Sequence, residues 1–396
     1  MDKVTELVAR QYMAHAYPHP YDDLAEAAAA GYIDMGDPSI FAPLFWPEGR
    51  SSPPRILVAG CGTVQAAMLA YKNPQAQVVG VDLSEASLGH QRFLRKKHGL
   101  KNLELYQGDL REACKLGRGF DLIVSSGVLH HLADPGEGLR ALEGVLAPGG
   151  AMILMVYGAF GRAGVYPMQD AFRRLGLGQT AADIAIVREV LDGLPSTHLV
   201  RPFLARTPQL QHDTELVDIF LHPQDVAYSV PELIAWLEAN GLALQGWGEN
   251  HLYYPDAMVP SAIAKHLQGL PDADVWAVTE TLHGLSRTHS FVARRPAEAR
   301  PVSFDGLGFM ALRPTPKPGA RLETPKGGPA RLMVWNLDFE LNPAQLGALR
   351  RIDGERPIAE IMDNAELRAL INGEVEAFAR AFFGWLWRIG AVIVRY

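Results

Sequence analysis

The chain of 396 residues contains little cysteine. Only Cys61 and Cys114 occur, too few for a disulfide framework and without a zinc-binding spacing. Its 13 histidines also show no strong ligand spacing, so no metal site is predicted. A bilayer requires roughly 20 consecutive apolar residues, and no run of that length is present. The formal net charge of −7 gives no general attraction to nucleic acid or anionic lipid. The polar start lacks the apolar segment of a signal peptide. We therefore expect a cytoplasmic protein with neither a membrane partner nor a nucleic-acid partner.

Short apolar, β-branched segments alternate with helical segments from residue 55 onward. Seven of them read as strands: RILVAG (55–60), QVVGVDLS (77–84), NLELYQGD (102–109), FDLIVSSG (120–127), AMILMVYG (151–158), ALQGW (243–247) and THSFVARR (288–295). Ser84 is the predicted N-cap of a helix that runs to His98. The alternation predicts an α/β fold, a doubly wound and mostly parallel sheet with helices on both faces.

The remaining segments suggest a division of the chain into domains. Residues 1–50 read as an N-terminal lid, and 51–298 as the sheet domain, with helical insertions at 159–228 and 250–286 forming a cap over the strand ends. The Pro/Gly-rich stretch 299–330 reads as a linker. In 331–396, three helices followed by a strand suggest a small winged-helix-like domain. Residues 301–396 contain twelve Lys and Arg and eleven Asp and Glu, so this unit is nearly neutral. We therefore expect it to bind a peptide, form a homodimer or pack against the cap rather than bind DNA.

Three strand ends carry the residues of a ligand crevice. Gly60 and Gly62 follow the first strand and open a helix, where glycine permits a positive φ and close approach of a ligand to the backbone. Asp82 ends the second strand, about 20 residues later, where a carboxylate can accept hydrogen bonds from a ribose diol. Asp109 ends the third strand and can accept from an exocyclic amine. The carboxyl ends of adjacent parallel strands meet at one edge, so these groups should line one crevice.

These motifs resemble those of class I S-adenosylmethionine-dependent methyltransferases. The likeness covers roughly 55–160 and includes ILVAGCGT, VVGVDLSEASL, LYQGDL, FDLIVSSGVLHHLADP and LAPGGAMILMVYG in the same order. The resemblance implies a seven-stranded Rossmann-like sheet, S-adenosylmethionine as cofactor and S-adenosylhomocysteine as product. It also implies eight cofactor-binding residues: Gly60, Cys61 and Gly62 under the methionine part, Asp82 on the ribose, Leu83 beside the adenine, Asp109 on the adenine amine, Leu110 on the ring, and Ser126 near the methionine part.

Two positions depart from the family pattern. Ala59 stands where the family often has an acid before the first glycine, which removes one polar contact. Val64 replaces the third glycine, and we expect it in the first turn of the following helix, packed against the sheet. Because the first two glycines remain, we expect cofactor binding to be retained.

The acceptor side is less strongly indicated by the sequence. His131 and Tyr157 are the candidate catalytic residues. His131 follows strand four, where the acceptor enters in this fold, and Tyr157 is at the end of strand five; histidine can take a proton near pH 7. His130, His222 and Tyr228 are candidate substrate-binding residues, and Tyr12 and Tyr17 could close over the cofactor. Each has a structural alternative: helix capping, a turn, or aromatic packing.

Residues 218–242, DIFLHPQDVAYSVPELIAWLEANGL, together with the C-terminal unit, more loosely resemble bacterial protein-lysine methyltransferases. The expected function is therefore methyl transfer to a nucleophilic acceptor, a nitrogen on a protein or peptide being favoured. Two alternatives stay open from the sequence. One is a small-molecule N-, O- or C-methyltransferase of secondary metabolism, and the other is a non-catalytic nucleotide-sensing regulator.

Overall fold

A central sheet organises the molecule, which the computed structural model describes for residues 3–14, 17–18 and 20–396. Its strands in chain order are β1 (Arg55–Ala59), β2 (Gln77–Asp82), β3 (Leu103–Gln107), β4 (Phe120–Ser126), β5 (Leu146–Gly158), β6 (Ala227–Tyr228), β7 (Ala243–Trp247) and β8 (Thr288–Arg294). The order across the sheet is β3-β2-β1-β4-β5-β8-β7, and the two-residue β6 pairs with β5 beside this path. Strands β1 to β5 pair in parallel, whereas β8 is antiparallel to both β5 and β7. The predicted seven-stranded α/β sheet is confirmed.

The α-helices of the described residues surround this sheet and extend beyond it. In chain order they are α1 (Lys3–Ala14), α2 (Leu24–Ala29), α3 (Pro38–Phe45), α4 (Gln65–Lys72), α5 (Glu85–Lys97), α6 (Pro135–Glu143), α7 (Val165–Arg174), α8 (Ala181–Gly193), α9 (Arg201–Ala205), α10 (Asp213–Phe220), α11 (Val230–Ala239), α12 (Pro255–Met258), α13 (Ser261–Ala264), α14 (Asp272–His283), α15 (Pro343–Leu349), α16 (Ile358–Met362), α17 (Ala365–Ala369) and α18 (Val375–Arg388). The Ser84 side chain accepts from the Ser87 N–H at 3.2 Å and caps α5 as predicted. None of these helices is both long enough and apolar enough to cross a bilayer.

Both faces of the sheet are buried, because successive strand side chains point to opposite sides. On one face Leu57 of β1 packs with α6 and α11. On the other face Ile56 and Val58 pack with α3, α4 and α5. This two-sided burial explains why β1 reads as a continuous apolar run rather than an alternating one. The parallel pairing of β1 to β5 places their carboxyl ends together at one edge of the sheet.

The two predicted cap insertions have different positions. The first, 159–228, forms α7 to α10 around its own apolar core, and α10 reaches the carboxyl end of β5. The second, 250–286, contributes no residue to the cavity described below. It contacts the C-terminal unit instead, where Asp256 pairs with Arg388 at 2.8 Å and Asn250 donates to the Trp387 carbonyl at 2.9 Å. The first insertion thus lies beside the carboxyl end of β5, and the assignment of both insertions to a cap stays a prediction.

The C-terminal unit begins earlier in the chain than the sequence suggests. Its strands are β9 (Arg313–Pro316), β10 (Ala320–Glu323), β11 (Ala330–Val334), β12 (Leu337–Leu341) and β13 (Val392–Arg395). β10, β11 and β12 form an antiparallel sheet, and β9 pairs with β13. Much of the predicted linker 299–330 is thus structured, and its Phe309 and Leu312 are buried in the core of this unit. Proline and glycine mark turns between short strands here, and the winged-helix assignment stays a prediction.

Candidate functional site

A cavity of about 280 Å³ lies at the carboxyl ends of β1 to β4, beneath α1. All eight residues that the resemblance implies for the cofactor line it, and so does His131. The described residues that complete its lining are Thr5, Val8, Tyr12, Tyr17, Pro18, Tyr32, Val64, Gln65, Val81, Ser87, Gly108, Gly127, Val128, Leu132 and Met155. Its volume is near the lower end of ligand pockets, which occupy roughly 300–1,000 Å³. The fold therefore brings the three predicted strand ends to one cavity.

The glycine loop between β1 and α4 could not be built with larger residues. Gly60 has a φ of 77° and Gly62 a φ of 53°, in the region that other residues rarely adopt. A Cβ at Gly60 would overlap the Val128 side chain, and one at Gly62 would lie 2.8 Å from the Tyr17 carbonyl oxygen. The two glycines thus let the loop pass close beneath the N-terminal segment.

Asp82 is held at the end of β2 by two backbone donors. One oxygen accepts from the Gly62 N–H and the other from the Ser84 N–H, both at 2.8 Å. Burial raises the pKa of Asp82, and these two donors counteract part of that rise. Since a carboxylate oxygen has two lone pairs, each Asp82 oxygen can accept one more hydrogen bond from a ligand.

Asp109 has less capacity left for a ligand. Its carboxylate accepts from the Arg111 backbone N–H at 2.9 Å and from the Arg111 guanidinium, with a shortest distance of 2.6 Å. The same guanidinium donates to the Thr5 hydroxyl of α1 at 2.9 Å. Sequence reasoning assigned Asp109 to the adenine amine but missed Arg111, whose position two residues later is the signal that could have revealed the pair.

Gln65 lines the cavity and is held there by the carboxylate of Asp34. The Gln65 side-chain N–H donates to the buried Asp34 carboxylate at 3.0 Å and reaches the Ser126 hydroxyl at 3.5 Å. Burial raises the pKa of Asp34, while the Gly36 N–H and Gln65 counteract that rise. Asp34 lies in the N-terminal segment, far from the glycine loop in sequence, so the motif alone could not reveal it.

Val64 lies at the N-cap of α4, one position before the helix rather than inside its first turn. Its side chain is buried in the core beside α4 and also forms part of the cavity wall. The third position of the glycine motif therefore contributes to packing here.

We expect Val64→Gly to lower the free energy of unfolding by about 1–2 kcal/mol without strengthening cofactor-product binding. The buried methyl groups are lost, but glycine is better tolerated than valine at an N-cap, which offsets part of the loss. Thermal unfolding and titration with S-adenosylhomocysteine check both statements. Tight binding found only in the glycine variant would mean that Val64 obstructs the cavity.

The N-terminal segment is tied to both sides of the cavity. On the sheet side, the Ser84 hydroxyl donates to the Tyr12 carbonyl at 3.0 Å, and the Thr63 hydroxyl donates to the Pro18 carbonyl at 2.8 Å. On the insertion side, the Tyr12 hydroxyl donates to Asp218 at 2.8 Å. The segment therefore has the position expected of a lid, and the range 1–50 for that lid stays a prediction.

His131 lines the cavity beyond the end of β4, whereas Asp109 lines it beyond the end of β3. Its Nδ1 is 2.9 Å from the Gln224 carbonyl oxygen, which can only accept, so Nδ1 carries the proton and Nε2 the lone pair of the neutral ring. Burial lowers the pKa of His131, which keeps the ring neutral near pH 7. This arrangement provides a proton acceptor at the cavity wall.

Asp218 is a site residue that sequence reasoning missed. Its carboxylate accepts from the Tyr12 hydroxyl and, at 3.0 Å, from the Tyr157 hydroxyl. It therefore joins the lid, the end of β5 and helix α10. The signal in the sequence was a single carboxylate within the apolar stretch LVDIFL (216–221). Apolar neighbours on both sides indicate a buried position, and a buried carboxylate needs hydrogen-bond partners.

The other acceptor-side candidates lie behind the cavity wall. Tyr157 donates to Asp218, and the Arg162 guanidinium stacks 3.6 Å above its ring. His130 is fully buried, and its ring centroid is 3.8 Å from that of Tyr157. The His222 ring stacks on the His131 ring with 3.8 Å between their centroids. None of these three residues lines the cavity. Tyr228, the remaining candidate, does not line it either, and its ring stacks on the Trp236 ring with 5.1 Å between the centroids.

The side chains of His131, Asp218 and His222 come close enough to suggest a metal site, with one ligand atom from each within 4.8 Å of the others. Their hydrogen bonds argue against it. His222 Nδ1 accepts the Gln224 N–H at 3.1 Å, so the neutral ring carries its proton on Nε2. Asp218 already accepts two phenol hydroxyls. Metal binding would require His222 to give up its backbone contact, so we assign no metal to this trio.

The polar groups of the cavity fit S-adenosylmethionine. Its ribose needs two acceptors, which the spare lone pairs of Asp82 provide, and its adenine needs apolar neighbours, which Leu83 and Leu110 provide. Gln65 and Ser126 offer polar atoms for the methionine part. The described residues would therefore hold the cofactor with its adenosine between β2 and β3.

Comparisons with known proteins identify the domain that contains most of this cavity. A methyltransferase-domain family profile matches residues 51–162. The chain is 34% identical over 381 residues to the uncharacterized protein syc1184_c of Synechococcus sp., a match that covers 92% of this chain and 88% of that protein. It is 37% identical over 123 residues to trans-aconitate 2-methyltransferase of Deinococcus radiodurans, covering 28% of this chain but only 45% of that enzyme.

The fold has a close counterpart among solved structures. PKMT2 from Rickettsia typhi in complex with AdoHcy superposes with a TM-score of 0.63 at 15% identity, covering 86% of this chain and 71% of that one. At that identity the similarity shows a shared fold and does not identify the methyl acceptor. With the family profile over the cavity-forming segment, it leads to one conclusion. The chain belongs to the class I S-adenosylmethionine-dependent methyltransferases and uses S-adenosylmethionine as its cofactor.

Proposed function

We propose that this methyltransferase acts on a nitrogen nucleophile, an amine such as a lysine side chain of a protein or peptide. The observation that carries the proposal is the geometry of His131. It lines the same cavity as the cofactor residues, and its Nδ1–H is committed to the Gln224 carbonyl, which leaves Nε2 able to take a proton.

The bound cofactor supplies an electrophilic methyl group on a positively charged sulfur. The residues of this chain do the rest. Asp82 would hold the ribose, and Gln65 with Ser126 would orient the methionine part. An amine that arrives as an ammonium ion must lose a proton before its lone pair can react, and His131 Nε2 is the group that accepts it. Tyr12 and Tyr17 exclude water from this end of the cavity, which favours the neutral amine.

The charges around the cavity favour an amine over a carboxylate acceptor. Among its described lining residues there is no lysine or arginine, and a carboxylate acceptor would need such a partner. Arg162, which stacks on the Tyr157 ring, is already paired with Asp225 at 3.0 Å in a buried contact. Trans-aconitate is a carboxylate, so we do not extend the acceptor of that relative to this chain.

Methyl-labelled S-adenosylmethionine and a peptide array test the proposal. Each lysine peptide is paired with one that carries norleucine, which has a similar chain without the nitrogen. We expect label in the lysine peptides alone, and much less of it with an Asp82→Asn enzyme when the cofactor concentration is well below saturation. Label confined to serine, aspartate or glutamate side chains, or to small carboxylic acids added alongside, would contradict a nitrogen acceptor.

A further inference from the structure

Tyr12, in the last turn of α1, connects the two sides of the cavity. Its backbone carbonyl accepts from the Ser84 hydroxyl at 3.0 Å, and the Ser84 N–H donates to Asp82, the residue proposed to hold the ribose. Its side chain extends to the first insertion, where the Tyr12 hydroxyl donates to Asp218 of α10 at 2.8 Å. Tyr12 also lines the cavity. One residue of α1 therefore bridges the end of β2 and helix α10.

The carboxylate of Asp218 depends on phenol donors. It is buried, and within the described part of the chain its hydrogen-bond partners are the hydroxyls of Tyr12 and Tyr157, at 2.8 and 3.0 Å. Burial, together with the charge of Asp218, raises the pKa of Tyr12, so the phenol keeps its proton and is the donor. Because a buried charged group that loses a partner is costly, the contact with Tyr12 should stabilise the position of α1.

Helix α1 has a second contact with the same insertion and one with the sheet domain. Gln11, the buried neighbour of Tyr12, accepts from the Gln179 side-chain N–H at 2.7 Å. Near the other end of α1, the Thr5 hydroxyl accepts from the Arg111 guanidinium at 2.9 Å. The helix is thus held to the sheet domain at its start and to the insertion at its end.

The face of α1 between these contacts forms part of the cavity wall. Thr5, Val8 and Tyr12 all line the cavity, and their spacing of three and four residues places them on one side of the helix. Displacement of α1 would remove all three residues from the wall and expose a bound ligand to water. Retention of the cofactor should therefore depend on the contacts that hold α1.

We propose that Asp218 is a positioning residue for the cofactor, which it keeps in the cavity by holding Tyr12 and helix α1 in place. Asp218 does not line the cavity, so it acts through the Tyr12 hydroxyl. When this hydrogen bond opens, α1 can move away and the ligand can dissociate. The inference concerns cofactor exchange and does not depend on the nature of the methyl acceptor.

The dissociation rate of S-adenosylhomocysteine tests the inference. The full-length protein is loaded with labelled S-adenosylhomocysteine, excess unlabelled ligand is added, and the retained label is followed by rapid filtration. Tyr12→Phe keeps the ring and removes only the hydroxyl. We expect it to raise the dissociation rate by about tenfold, the lower end of the range for a hydrogen bond to a charged group. The association rate should not fall, as it would if the variant merely misfolded.

Tyr157→Phe is the matched control. It removes the other phenol hydroxyl from the same carboxylate, but Tyr157 belongs to β5 and not to α1. Its dissociation rate should therefore remain close to that of the wild type. Equal acceleration in the two phenylalanine variants would indicate a general loosening around Asp218 and would overturn the proposal, as would an unchanged rate in Tyr12→Phe.

A double-mutant cycle shows whether the effect passes through Asp218. In an Asp218→Ala background the Tyr12 hydroxyl has no carboxylate to bind, so Tyr12→Phe should no longer accelerate dissociation. Undiminished acceleration in that background would mean that Tyr12 acts on the ligand directly and would remove Asp218 from this role. If Asp218→Ala does not fold, the comparison of Tyr12→Phe with Tyr157→Phe still decides the question. No methyl acceptor is present in these experiments, so their outcome leaves the proposed nitrogen acceptor unaffected.

Discussion

Replacing His131 with phenylalanine is expected to lower kcat for a lysine peptide by about 10²–10⁴-fold, the usual contribution of a general base. Phenylalanine keeps an aromatic ring against His222, which stacks on His131 at 3.8 Å, but removes the nitrogen that takes the proton. Cofactor-product affinity should change little, because His131 is at the acceptor end. Initial rates with methyl-labelled S-adenosylmethionine measure the effect.

His130 provides the matched control for this variant. It is the adjacent residue and also a histidine, but it is fully buried behind the cavity wall. His130→Phe should therefore reduce kcat far less than His131→Phe. Equal losses in the two variants would show that the effect is one of packing rather than of proton transfer.

The pH profile of the wild type should carry the same signature. Burial lowers the pKa of His131 below the ordinary histidine value of about 6.5, so the ring remains unprotonated as the pH falls through that value. Only below it does protonation remove the accepting lone pair. We therefore expect kcat/KM of the wild type to fall as the pH is lowered, with a midpoint below about pH 6.5. The residual activity of His131→Phe should not show this decrease.

Asp82→Asn is expected to weaken S-adenosylhomocysteine binding by about 1.5–3 kcal/mol, which corresponds to roughly ten- to hundredfold in affinity. Asparagine keeps one oxygen acceptor but has an NH₂ donor in place of the other oxygen. This donor would point at the backbone N–H of Gly62 or Ser84, which is also a donor, and the substitution removes the negative charge as well. Both the loop geometry and the ribose contact should suffer. Isothermal titration calorimetry measures the change.

Asp109→Asn serves as the comparison. Because Arg111 already occupies much of the Asp109 carboxylate, we expect a smaller loss of cofactor-product affinity than for Asp82→Asn. An unchanged affinity in Asp82→Asn would remove Asp82 from the ribose role. A larger effect at Asp109 would mean that Arg111 releases its partner when the cofactor binds.

The sheet could be predicted from the sequence because its signals are local. Buried parallel strands appear as short β-branched runs that alternate with helical runs, and the helix after β2 also has a recognisable N-cap in Ser84. The sequences of the insertions contain no comparable local pattern that indicates which part of the sheet domain they contact. The contact of Asp256 with Arg388, which ties the second insertion to the C-terminal unit, depends on a separation of more than a hundred residues and has no signal in either segment.

The cofactor half of the cavity was equally accessible from sequence, because the carboxyl ends of adjacent strands must meet. The acceptor half was not. Tyr12 reaches it from the N-terminal segment, and Asp218, which accepts from the Tyr12 hydroxyl, comes from an insertion. Tyr157 is at the predicted strand end, yet its hydroxyl turns to Asp218 and not to the cavity. Side-chain direction at a strand end depends on the partners that the tertiary fold brings there.

A crystal structure with S-adenosylhomocysteine is the most direct test of the account. We predict density in the 280 Å³ cavity, with the ribose hydroxyls on Asp82, the adenine between Leu83 and Leu110, and the sulfur facing the end that His131 and Tyr17 line. Density outside this cavity, or an adenosine bound at the His131 end, would contradict the division into a cofactor half and an acceptor half.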